Sequence, residues 1–154
     1  MTEIPNPEEL FAGNHPGEIA KRLIATIPEG GGENKQHYED ACRLTTALMF
    51  PLTELHEKGE IKLSLESVRD SLALTHSGLT RIVEHQDISD FSRSALSAVL
   101  TDFGWDKEKP IVEQSHEFRT RFGYARGYMA LGALMYAGCD LEALKQQKRK
   151  EEQS

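Results

Sequence analysis

Chemistry at a protein site needs nucleophiles, bases, metal ligands or phosphate cradles at workable spacing, so those residue types are read first. The histidines are His15, His37, His56, His76, His85 and His116. No two of them stand at i, i+4 on one helix face, the spacing that lets a helix offer a zinc pair. His116 is followed by Glu117 and His85 preceded by Glu84, so each pair diverges around its helix. The run Gly30-Gly31-Gly32 lacks the Gly-Lys-Ser/Thr that would put a lysine on a nucleotide's phosphates and a hydroxyl on magnesium. HExxH, CxxC and GxSxG are absent, and Cys42 and Cys139 stand 97 positions apart (139 − 42) with no adjacent base. The expectation is no catalytic residue, no metal site and no cofactor.

Two features and one residue remain. Residues 64–85 read as helix, turn, helix, with Ser77 as the expected cap of the second helix. In a helix-turn-helix reader of DNA, Thr80 and Arg81 would meet the bases. Further on, Arg119 and Arg126 lie seven apart on one helical stripe, with Arg121 offset from it. They suit either an anionic partner or ion pairs with the chain's own carboxylates. Trp105, the only tryptophan, falls in the turn DFGWDKEKP. It serves either as a lid on the core or as an anchor for a partner.

The elements that must position these residues are helical. Leu (17) and Ala (13) far outnumber Ile (8) and Val (4), which favours helices because straight-chain side chains lose little freedom there. Apolar stripes at helical spacing predict helices over about 16–27, 35–58, 65–73, 77–85, 90–103 and 111–137, with a last helix capped by Asp140. In the second, Ala41, Leu44, Leu48, Leu52 and Leu55 face inward, and Pro51 predicts a kink or two abutting helices. In the fifth, the expected inner face is Phe91, Ala95, Ala98, Val99 and Leu100. In the sixth it is Phe118, Phe122, Ala125, Met129 and Tyr136. Gly123, Gly127 and Gly132 predict a close neighbouring backbone, since glycine inside a helix costs about 1 kcal/mol against alanine. Ile61, Leu63 and Leu65 alternate over too short a stretch for more than an extended link.

Composition bounds the partners. With 18 Lys and Arg against 25 Asp and Glu, the net charge is −7, a poor match to the phosphates of DNA. Its one cationic cluster, Lys145–Lys150, falls in the polar terminal stretch. No apolar run approaches the ~20 residues of a membrane span. The start, MTEIPNPEEL, has neither a basic nor an apolar region of a secretory leader. The two cysteines read as reduced, half-buried residues of a cytosolic protein.

Four segments together resemble a known family. They are LIATIPEGGGEN, HYEDACRLTTALMFPLTELHEKGEIKLSLESVRDSL, the helix ending in DFGW, and EQSHEFRTRFGYARGYMALGALMYAG. They resemble the all-α domain of type IV secretion coupling proteins, the TraD/TraG-like ATPases of conjugation. The likeness covers about residues 16–138. It rests on the loop Pro28–Gly32, Tyr38 with Ala41, the stretch Leu44–Gly59, and Gln114, His116 and Phe118. The resemblance implies a helical module, similar in fold to the helical DNA-binding domain of tyrosine recombinases. In the family it faces the cytoplasm on the inner side of the bacterial inner membrane and helps choose the secreted substrate. It would contact relaxase or other relaxosome proteins during DNA transfer, with DNA contact weak or indirect. Neither a Walker motif nor a membrane helix lies in these residues, so the parent's nucleotide hydrolysis does not carry over.

The expectation is therefore an all-α bundle of about seven helices. Residues 1–15 form an arm, 16–144 one domain and 145–154 a polar tail. The expected role is a non-catalytic cytosolic adaptor that uses Trp105, Arg119 and Arg126. The alternative is a helix-turn-helix regulator that uses Thr80 and Arg81.

Overall fold

The computed structural model describes residues 3–153. Those residues form an all-α fold of eight helices: α1 (Pro7–Leu10), α2 (Pro16–Ile24), α3 (Lys35–Glu57), α4 (Leu65–Ser71), α5 (Leu79–Val83), α6 (Asp90–Asp102), α7 (His116–Met129) and α8 (Leu141–Gln153). Short 3-10 turns occupy Gly32–Asn34, Ile111–Glu113 and Ala133–Tyr136. Helix α3 is the centre, and α2, α6 and α7 pack around it.

Local chemistry explains most boundaries. Pro16 opens α2 at a position whose missing N–H costs nothing, and His15 Nδ1 accepts the Glu18 amide. The hydroxyls of Ser64, Ser89 and Ser115 cap α4, α6 and α7 by accepting the amide three residues on. Asp140 does the same for α8 through the Ala143 amide. Gly59 and Gly104 take left-handed backbone (φ +74° and +103°) where α3 and α6 end. The core face of α3 is as the sequence predicts, with Ala41, Leu44, Leu48, Leu52 and Leu55 all fully buried. The predicted stripe of α7 holds for Phe118, Phe122, Ala125 and Met129.

Several expectations need correction. The expected arm contains α1, whose Leu10 is buried. The expected tail is the body of α8, a helix that buries no residue. Pro51 lies inside one uninterrupted α3, so of the two expectations, a kink or two abutting helices, the second falls away. The second helix of residues 64–85 is capped by Gly78, without a side-chain bond, and not by Ser77. The predicted helix 111–137 is α7 flanked by two 3-10 turns. Residues 115 and 130 bound it because Ser115 is a strong cap, and the chain beyond Met129 must turn to meet the α2 end. The inner face of α6 is Ser92, Leu96 and Leu100, which leaves Phe91 61% exposed against Phe50. Cys42 is half-buried as expected, whereas Cys139 is exposed.

The glycines of the sixth segment divide. A Cβ on Gly123 or Gly127 would meet nothing within 4 Å, so neither marks a close backbone. A Cβ on Gly132 would lie 2.6 Å from Thr26 Oγ1 and 2.9 Å from the Thr26 carbonyl. That threonine accepts the Ala133 amide and donates to the Leu23 carbonyl, which clips the end of α2 to the turn after α7. Gly127→Ala is therefore expected to raise stability by up to about 1 kcal/mol through helix propensity. Gly132→Ala is expected to lower it by about 2 kcal/mol through overpacking. Thermal melts of the two variants, moving in opposite directions, check the division.

Carboxylates add a pH dependence. The Arg43 guanidinium bonded to Asp102, with Arg121 beside it, holds the Asp102 carboxyl below its ordinary 3.8. The Gly138 amide holds Glu66 below 4.5. Burial alone would raise Glu54, but bonds from Ser92 and Ser89 outweigh it and hold it below 4.5 too. All three folded pKa values lie below the unfolded ones. Their contribution is therefore present above the unfolded values and lost as pH falls through the folded ones. Urea midpoints are expected to be flat above about pH 5 and to fall steadily toward pH 3. A midpoint that rises on acidification contradicts this.

Candidate functional site

The Trp105 turn is a built loop. Helix α6 ends at Gly104, and the Trp105 amide donates back to the Leu100 carbonyl at 2.9 Å. From there to Ser115 the chain has no regular element except one 3-10 turn, so its polar backbone needs partners. Gln114, only 5% exposed, supplies several of them. Its Oε1 accepts the Asp106 amide at 2.8 Å, and its Nε2 donates to the carbonyls of Asp106 (2.7 Å) and Lys109 (3.0 Å). Arg119 supplies the rest, donating to the carbonyls of Ile111, Val112 and Gln114 at 3.1, 2.6 and 3.3 Å. A charged donor on carbonyls gives stronger bonds than a neutral one, which makes this loop stiff.

The stiff loop forms one wall of a cleft of about 330 Å³. Helix α5 supplies the other wall with Leu79, Thr80 and Val83, followed by Glu84, and the buried Leu100 and Ile111 and the exposed His76 complete the lining. The Trp105 side chain packs on the core and stays half-buried, with part of its indole open to the cleft. Val112 stands 58% exposed beside Ile111 on the same loop. The lining is mixed, with apolar Leu79, Val83, Leu100 and Ile111 beside charged Glu84, Lys107, Glu108 and Lys109. A concave surface that combines apolar area with a few polar groups is the usual form of a recognition site.

The structure places the sequence-predicted residues as follows. Trp105 and Thr80 both line this cleft. Arg81, the other residue of the DNA reading, is exposed and outside it. Its helix, α5, has five residues, about 7.5 Å of helix at 1.5 Å per residue. Arg119 donates from Nε and Nη2 to backbone carbonyls and has no carboxylate partner among the described residues. Arg126 likewise donates to the Leu72 carbonyl that ends α4 (3.1 Å) and lies over the Phe122 ring. A cation at a helix C-terminus meets the negative end of its dipole, so Arg126 ties α7 to α4.

Sequence reasoning missed two residues, Gln114 and Asp40, while Arg121 makes the ion pairs with the chain's own carboxylates that were one of its two readings. Gln114 drew notice only as part of a pattern, because nothing in its type says that it will be buried among loop carbonyls. Asp40 is fully buried on α3, where Arg121 grips it with two bonds of 2.9 and 3.1 Å and Gln36 adds a third. Arg121 also donates to the Asp102 carbonyl and carboxylate and lies over Phe103, the residue that leads into the Trp105 turn. The Asp40 bond is the main cause of a raised Arg121 pKa, which keeps the guanidinium charged.

Glu60, His85 and Asp87 also converge, with ligand atoms within 4.8 Å of one another. His85 Nδ1 accepts the Asp87 amide at 3.1 Å, which engages its lone pair, and Nε2 is the nitrogen toward Glu60.

No protein-family model, curated protein or solved structure matches the chain. Among the described residues, no helix is long and apolar enough to cross a membrane.

Proposed function

We propose that the chain is a non-catalytic recognition domain that binds a protein partner by taking one of its apolar side chains into the Trp105 cleft. The observation that carries this reading is the half-open indole on a loop that Gln114 and Arg119 hold rigid. A rigid aromatic at the edge of a pocket loses little freedom on binding, which is the usual physics of a hot spot. The finer reading follows the resemblance. The domain would belong to a conjugative coupling protein of the type IV secretion class and face the cytosol. Its partners would be relaxase or other relaxosome proteins.

DNA reading by α4 and α5 fits less well. Its second helix is a turn and a half long, and the chain carries seven more anions than cations. Calorimetry of the purified domain against relaxosome proteins, beside mobility shifts with random duplex and single-stranded DNA at about 0.15 M salt, separates the two. Saturable protein binding is expected, with DNA binding no tighter than about 10⁻⁴ M. Sub-micromolar DNA binding without protein binding overturns the proposal in favour of the regulator.

A further inference from the structure

The cleft's lining carries a modest charge asymmetry, two lysines and one glutamate from the loop against Glu84, with His76 beside it in the lining. On the loop wall, Lys107 and Lys109 flank Glu108, and on the other wall Glu84 stands one helical turn from Thr80. None of these four charges has an ion-pair partner among the described residues. Arg43, Arg93 and Arg121, by contrast, are held by carboxylates of the chain itself. Leu79, Val83, Leu100 and Ile111 supply the apolar part of the lining.

We propose that the cleft takes a short protein segment in which a leucine-sized side chain stands between a basic and an acidic residue. The inference rests on the anchor reading above. The apolar side chain fills the space beside Trp105. The basic residue turns to Glu84 on the α5 wall, and the acidic one to Lys107 and Lys109 on the loop wall. An occupant with two bases would leave the lysines facing a like charge, and one with two acids would do the same to Glu84. The polarity therefore selects partners by repulsion as well as attraction.

The lone tryptophan makes the test direct, because all indole emission comes from Trp105. The probes are capped pentapeptides with a central leucine between serines and ends of Arg and Glu, Arg and Arg, or Glu and Glu. Titration of the whole chain is expected to show the mixed peptide binding at least about threefold more tightly than either other, the scale of one exposed ion pair. Nonspecific attraction to a chain of net charge −7 would instead favour the Arg/Arg peptide. In Glu84→Lys both walls are basic, and the Glu/Glu peptide is expected to become the tightest. Arg/Arg tightest in the unaltered chain, or an order unchanged by Glu84→Lys, overturns the polarity and leaves the anchor standing. Equal binding of a peptide with alanine for leucine overturns the anchor, and the polarity with it. So does no emission change with any peptide up to about 10 mM.

Discussion

Replacement of Asp40 by alanine is expected to cost the domain about 3 kcal/mol, the scale of breaking a buried ion pair. The carboxylate is fully buried and joins α3 to α7 through Arg121, with Gln36 on its own helix completing the set. Its loss strands one face of the guanidinium in a half-buried position. Asp102 still holds the other face, which limits the damage. The pair lies 81 positions apart in sequence, so the loss also removes a long-range polar tie between α7 and α3, which stay packed through their apolar faces. In a chain of this size about 3 kcal/mol lowers the melting temperature by roughly 6–12 °C. Asp102→Ala removes the more exposed partner and is expected to cost less than about 1 kcal/mol. Equal costs for the two variants would show that burial of Asp40 is not what makes the pair matter.

Gly78→Ala is expected to be as severe or worse. The Cβ would stand 2.3 Å from the Ala73 carbonyl oxygen, 2.9 Å from the Asp70 carbonyl oxygen and 2.9 Å from Ala73 Cβ. All three are backbone or backbone-fixed atoms, so no rotamer change relieves the clash. The turn between α4 and α5 must open, and it loses the 2.9 Å bond from the Leu79 amide to the Ala73 carbonyl. Overpacking of this kind costs about 3 kcal/mol or more. It would also shift the α5 wall of the cleft, so partner binding is expected to weaken along with stability. Gly127→Ala, on an open helix surface, is the matched control. A melting temperature unchanged in Gly78→Ala contradicts the close approach.

The helices were legible where one apolar stripe stood against a polar background. Leu44, Leu48, Leu52 and Leu55 leave α3 only one way to face. Helix α6 offers two stripes. Phe91, Ala95 and Val99 look the more apolar, yet Ser92, Leu96 and Leu100 are the buried set, because Ser92 turns in toward Glu54, which bonds the Ser89 cap. Only the neighbouring α3 decides between them. The site was legible as far as Trp105 and the turn that carries it. Its second wall comes from α5, and no local pattern says that Thr80 will line a cleft with an indole 25 positions on (105 − 80). Gln114 and Asp40 were illegible for the same reason. Each looks like an ordinary surface residue until long-range packing surrounds it with carbonyls or a guanidinium.

The central claim is that the Trp105 cleft is where the partner binds. The most direct measurement is calorimetric affinity for a relaxosome partner in the unaltered chain, in Trp105→Ala and in Thr80→Phe. The first variant removes the anchor wall, and the second fills the cleft from α5 while Trp105 stays. Both are expected to weaken binding by about 30-fold or more, the loss typical of a hot-spot residue. Circular dichroism at the temperature of the binding measurement is expected to show that both remain folded. Affinity retained in both folded variants would contradict the account and place the binding surface elsewhere.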